Sequence, residues 1–114
     1  MAYLSPVSRD INKNMLAHNV YFTLKDRSPE KINRLVESCN KFLTGHPGTR
    51  FFFAGTLEQE LRRPVNDLDF DVALVIVFED RAAHDVYQTA ARHDEFIVLE
   101  KDNWEKVRVF DAIC

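Results

Sequence analysis

Two side chains late in the chain have the right types for acid–base chemistry. In YQTAARH, Tyr87 and His93 place a phenol and an imidazole six residues apart. A neutral imidazole, with a reference pKa of about 6.5, accepts a proton near neutral pH. A phenol, with a reference pKa of about 10, stays protonated and donates a hydrogen bond. Set around one carbonyl compound, the pair would abstract a proton beside the carbonyl, with His93 as base and Tyr87 donating to the developing enolate oxygen. On an unbroken helix, six residues put the two on nearly opposite sides. The chemistry therefore requires the helix to end around residues 90–92 and the chain to fold back. TAAR holds no Gly or Pro to force that end. The competing reading is structural: a Tyr on an apolar helix face packs its ring, and a His beside a helix end serves as a cap or a buried hydrogen-bonder.

Other chemistry-bearing residues are less organised. His46, between Gly45 and Pro47, reads as surface loop. His84 falls on the solvent side of its expected helix and is assigned no role. DLDFDV sets Asp67, Asp69 and Asp71 at alternate positions, but the Gly and the terminal Glu of a calcium loop are missing in register. The three carboxylates are expected at a solvated edge or paired with Arg62 or Arg63. No spacing fits a zinc site, a Gly-rich phosphate loop or a nucleophilic triad, so no metal and no cofactor is expected.

Periodicity and capping residues define the elements that would carry these groups. Residues 1–16 have no clear period and read as an N-terminal extension, within which Met15 is a second possible start; residues 17–114 read as one domain. HNVYFTLK alternates as a strand, with His18, Val20, Phe22 and Leu24 on one side. Ser28 and Pro29 open a helix whose apolar stripe runs Ile32, Leu35, Val36, Cys39, Phe42 and Leu43. Gly45 suits its left-handed end and Pro47 stops it. TRFFFAGT is a second strand, LEQELRRPVNDLD a polar connection, and FDVALVIVFED a third strand. Asp80 caps a second helix through Ala83, Val86, Tyr87 and Ala90. A short turn carrying His93, Phe96 and Ile97 follows, and WEKVRVFDAI is the last strand. The order β-α-β-β-α-β is α+β and ferredoxin-like, with a four-stranded antiparallel sheet.

Composition excludes several classes of partner. Lys and Arg number 15 against 18 Asp and Glu, for a net charge of -3, and no basic cluster is present to track a nucleic acid. No apolar run approaches the roughly 20 residues that span a bilayer, and the first residues do not have the form of a signal peptide. Two cysteines, Cys39 and Cys114, are too few for a disulfide framework, so the reducing cytoplasm is the expected compartment.

The third strand is apolar on both sides. Phe70, Val72, Leu74, Ile76 and Phe78 lie on one, Ala73, Val75 and Val77 on the other. Two helices cover only one side of a sheet, so the second side requires another cover, and a second copy packed sheet to sheet is the simplest. A homodimer is expected.

HNVYFTLK, FDVALVIVFEDRAAHDVYQ, RHDEF and the closing WEKVRVFD together resemble the stress-responsive A/B barrel (Dabb) domain over residues 17–113. The resemblance implies a ferredoxin-like protomer that joins a partner as a dimeric α/β barrel, with a cavity between sheet and helices. In a plant polyketide cyclase of this family, the catalytic Tyr and His belong to a Y-x-x-H-P-x-H stretch. Tyr87 and His93 match its ends, Ala90 and Ala91 replace its inner His-Pro, and His18 matches a first-strand His. The resemblance thus implies that Tyr87 and His93 converge. Val20, Phe22, Leu74, Ile76, Phe96 and Trp104, with His18, would then wall a cavity for a small apolar or aromatic ligand. Three uses remain open: a cyclase- or isomerase-like enzyme, a module that holds an apolar metabolite, and a stress-associated structural oligomer.

Overall fold

A computed structural model describes residues 14–114. The elements in chain order are β1 (Leu16–Leu24), α1 (Pro29–Phe42), β2 (Thr49–Thr56), β3 (Val72–Phe78), α2 (Arg81–Gln88), α3 (Ala91–Glu100), a 3-10 turn (Lys101–Asn103) and β4 (Trp104–Ile113). The strands form one antiparallel sheet in the order β2-β3-β1-β4, the expected ferredoxin-like arrangement. One element differs from expectation: the short turn after α2 is a ten-residue helix, α3. Of the expected extension, residues 1–13 lie outside the described residues. Asn14 and Met15 already belong to the sheet margin, since the Asn14 amide donates to the Cys114 carbonyl (2.7 Å) and the Cys114 amide to that of Met15 (3.1 Å).

Local chemistry accounts for most boundaries. The Ser28 hydroxyl accepts from the Lys31 amide at the start of α1, and Pro29 occupies the first turn, where its missing N–H costs nothing. Leu35, Cys39 and Leu43 are buried along the α1 stripe. Gly45 and Gly48 both hold positive φ, +76° and +83°, and bring the chain back toward β2. At Gly48 the backbone passes so close to α2 that a Cβ would stand 2.4 Å from that of Ala83. Asp80 caps α2 by accepting from the Ala83 amide at 2.8 Å.

One face of the sheet is covered by the helices except along β4, and the other is half-covered. Leu16, His18, Val20, Phe22 and Leu24 of β1 and Val72, Leu74, Ile76 and Phe78 of β3 are buried under the three helices. Ala73, Val75 and Val77 turn the other way and are only partly buried. Beside them Phe51 and Phe53 of β2 are 54% and 47% exposed, and Phe110 of β4 is 54% exposed. The 57–71 connection shields part of this open face: the Phe70 ring stacks edge-on against Tyr21 at 5.0 Å.

Candidate functional site

α2 ends one residue after Tyr87. The Thr89 amide bonds back to the Val86 carbonyl and the Ala90 amide to that of Tyr87, both at 3.2 Å, which tightens the last turn. Ala90 is then extended, with ψ of 147°, and α3 begins at Ala91 in a new direction. Arg92 anchors this restart by donating to the Lys41 carbonyl at the end of α1 (2.6 Å). Phe96, one turn on, enters the core against Phe22 and Trp104. Burying both Tyr87 and Phe96 against one sheet turns the axis without Gly or Pro, and the turn brings Tyr87 and His93 together. Their ring centroids lie 4.8 Å apart, edge to face.

Tyr87 is the hub of an aromatic cluster. Its ring also meets His18 of β1 at 6.0 Å, Phe78 at 5.0 Å and His46 at 5.0 Å. The expectation for His46 is corrected here. It is buried, and its Nε2 donates to the Phe42 carbonyl at 2.8 Å, because the Gly45–Gly48 turn folds the ring inward. His84 is corrected too. Its ring stands 5.1 Å from His18 and 5.7 Å from Phe78, and its side chain is only 14% exposed. The first turn of α2 follows β3 by two residues and packs on Phe78 and His18, so a position on its flank still faces the sheet.

His18 has a partner that no local spacing in the chain reveals. In the β1–β4 register it lies opposite Asp111, and its Nδ1 donates to Asp111 Oδ1 at 2.6 Å. The antiparallel pairing places two residues 93 apart on one face of adjacent strands. An Asp 93 residues from its His leaves no local signal in the sequence.

Between these groups and the edge of β4 lies a concavity of about 150 Å³. His18, Val20, Phe22, Leu74, Tyr87, His93, Phe96 and Trp104 all line it, as do Leu43, Gln88, Ile97, Val107 and Val109. Ile76 alone of the expected wall residues does not: it is fully buried in the core beneath. Two polar atoms on the lining are buried without a hydrogen-bond partner, His93 Nδ1 and Trp104 Nε1. A polar groove of about 230 Å³ at the far end of α1, lined by Lys25, Lys31, Arg34 and Glu100 among others, contains no histidine.

Burial sets the charge states. It holds the His93 imidazole below the ordinary histidine pKa, with Asp94 opposing. It lowers His18 as well, where the bond to Asp111 pulls the other way. The Tyr87 phenol is pushed up by burial, with the Cys39 sulfur nearby adding to the effect. Burial also lifts the Cys39 thiol to about 12, which makes it an inert core residue. Both imidazoles are thus neutral and the phenol protonated around neutral pH.

The DLDFDV carboxylates are structural, with partners other than Arg62 and Arg63. Asp67 pairs with Arg108 (2.7 Å), Asp69 with Lys106, and the buried Asp71 accepts from Arg27 and from the Leu24 amide (2.9 Å). They staple the connection to β1 and β4. Arg62 and Arg63 bond instead within their own turn, to Gln59 and Asn66.

The fold is shared with solved proteins. A Dabb family protein with a ferredoxin-like fold from Mesorhizobium loti superposes with a TM-score of 0.73 at 24% identity, over 90% of this chain and 98% of that one. A dimeric ferredoxin-like protein of unknown function from Thermobifida fusca gives 0.74 at 12%, over 91% and 94%. A hydroxynitrile lyase from Passiflora edulis gives 0.70 at 20%, over 89% and 94%. A comparison with curated proteins finds no match. No helix among the described residues is long and apolar enough to cross a membrane. The family model of the stress responsive A/B barrel (Dabb) domain matches residues 16–114, from the first residue of β1 to the residue after β4, and the chain belongs to that family.

Proposed function

We propose that this protein binds a small apolar or aromatic carbonyl compound in the concavity under its helices and moves a proton beside the carbonyl, as a cyclase, isomerase or lyase does. The observation that carries the reading is the pair of unpartnered buried ring nitrogens on residues that line the concavity. An unmade hydrogen bond at a buried polar atom costs about 1–3 kcal/mol. His93 Nδ1 and Trp104 Nε1 both leave theirs unmade at one concavity. A ligand oxygen would satisfy the indole N–H.

His93 is the base and Tyr87 the hydrogen-bond donor to the enolate oxygen. Their charge states suit those roles, since burial keeps the imidazole neutral and the phenol protonated. His18, oriented by Asp111, holds the substrate from the opposite side. Size limits the ligand: an apolar cavity of about 150 Å³ holds one benzene-sized ring. The rim open at Val107 and Val109 admits a substituent beyond that. A lyase is among the structures sharing this fold, which supports the reaction class but not the substrate.

The exposed Phe51, Phe53 and Phe110 support a homodimer closed through the open sheet face. Dimeric proteins of this fold support it too. The reducing cytoplasm remains the proposed compartment, on the buried Cys39 thiol.

The test is a panel of small aromatic ketones, aldehydes and cyanohydrins screened by deuterium exchange at the carbon beside the carbonyl or by carbonyl release. For any compound turned over, His93→Ala is expected to lower kcat by about 10² to 10⁴, and Tyr87→Phe by a smaller factor. Unchanged turnover in both variants overturns the roles. A binder whose affinity survives both substitutions, with no exchange, favours the second reading: a protein that holds an apolar metabolite.

A further inference from the structure

His18, which lines the concavity, also meets two side chains outside that lining. His18 of β1, His84 of α2 and Asp111 of β4 each offer one ligand atom, and these atoms all lie within 4.8 Å of one another. We infer that His18, His84 and Asp111 form a site for one divalent transition-metal ion.

The donor set decides the class of ion. Two imidazoles and one carboxylate suit zinc, cobalt or ferrous iron, whereas magnesium and calcium prefer all-oxygen shells. Three protein ligands leave further positions open, as in sites where a metal binds a small molecule. Around a tetrahedral ion with bonds of about 2.1 Å, ligand atoms sit roughly 3.4 Å apart. His18 and Asp111, at 2.6 Å, must part slightly, and His84 must draw in. Both adjustments fall on the less buried partners. The Asp111 side chain is 43% exposed and can rotate, while His18 is held in the core. His84 lies on the first turn of α2, at the boundary with solvent.

The surroundings of His84 prepare it as a ligand. Its Nδ1 donates to Asp85 Oδ1 at 3.0 Å, which leaves the lone pair on Nε2. Asp85 is itself held by Arg81 at 2.9 Å. A carboxylate behind a metal-binding imidazole fixes its tautomer and raises its basicity. The Gln88 amide, 3.4 Å from His84 Nε2, holds that nitrogen only loosely and can be displaced. The inference shares His18 and Asp111 with the proposed substrate site but needs neither Tyr87 nor His93, so its failure and that of the acid–base reading are distinguishable.

The test uses the tag-free full chain carrying Cys114→Ser, so that the exposed terminal thiol takes no ion. Stripped protein is titrated with Co²⁺ followed by its visible d–d bands, and with Zn²⁺ by calorimetry. The expected result is one ion per chain with micromolar or tighter affinity, and a thermal midpoint raised by Zn²⁺. His84→Ala and Asp111→Asn should each weaken binding at least about tenfold, whereas His93→Ala should leave it unchanged. Absence of saturable binding, or equal affinity in His84→Ala and Asp111→Asn, overturns the inference. If either variant fails to fold, a parent midpoint that Zn²⁺ leaves unmoved overturns it equally.

Discussion

Arg92 donates to the carbonyl of Lys41 at 2.6 Å, tying the first turn of α3 to the last turn of α1. That bond spans two helices 51 residues apart and sets the direction in which α3 leaves the break after Tyr87. His93, the next residue, is thereby turned back against the Tyr87 ring. The site's geometry depends on a helix end that local sequence does not enforce.

A proline should therefore be welcome at that end. Ala91 is the first residue of α3, and Ala90 before it is already extended. Both conditions fit Pro, which is tolerated in a first helical turn and favours an extended predecessor. Ala91→Pro is expected to stabilise the protein by about 0.4–1 kcal/mol, through a less flexible unfolded chain. Urea unfolding checks it. A loss of several kcal/mol would mean that the helix runs through this point.

Gly48 should tolerate no side chain. Its φ of +83° disfavours any L-residue, and the added Cβ would collide with Ala83. Strain and overpacking each cost about 1–3 kcal/mol. Gly48→Ala is expected to lower stability by about 2 kcal/mol or more, whereas Gly45→Ala, with open space around it, should cost less. Paired denaturant melts of the two variants separate these cases.

Stability should fall as the solution is acidified from neutrality. His18 and His93 both have folded-state pKa values below the ordinary 6.5, chiefly because burial disfavours their charged forms. Below about pH 6.5 the unfolded chain binds protons that the folded chain refuses, so the native state loses ground. The contribution is fully present above about pH 6.5 and shrinks as the pH drops toward the folded values. Thermal midpoints measured from pH 8 to pH 5 should be level at first and then decline, with a shallower decline in His93→Gln. A midpoint that rises over the acidic half of that range contradicts the assignment.

The open sheet face should be the site of self-association. Phe53, midway along the edge strand β2, is nearly half exposed beside Val75. Light scattering is expected to give a dimer for the parent protein. Phe53→Asp should give a monomer with an unchanged far-ultraviolet dichroism spectrum, since the residue lies outside the core. A parent protein that remains monomeric at micromolar concentration removes the dimer from the proposal.

Much of this molecule was legible in the sequence because it is encoded over short spans. The period of two in β1 and β3, the Ser28–Pro29 start, the Gly45 stop and the apolar stripe of α1 are decided by residues within a turn or two of one another. The double apolar character of β3 also announced a half-covered face without any knowledge of its neighbours. Tertiary structure alone decided the site. The helix break at Thr89–Ala90 comes from burying Tyr87 and Phe96 against one sheet. The Asp111 partner of His18 comes from strand register, and the inward turn of His46 and His84 comes from how a loop and a helix dock. Such relationships join residues far apart in the chain, and periodicity along the chain does not record which distant side chains share a space.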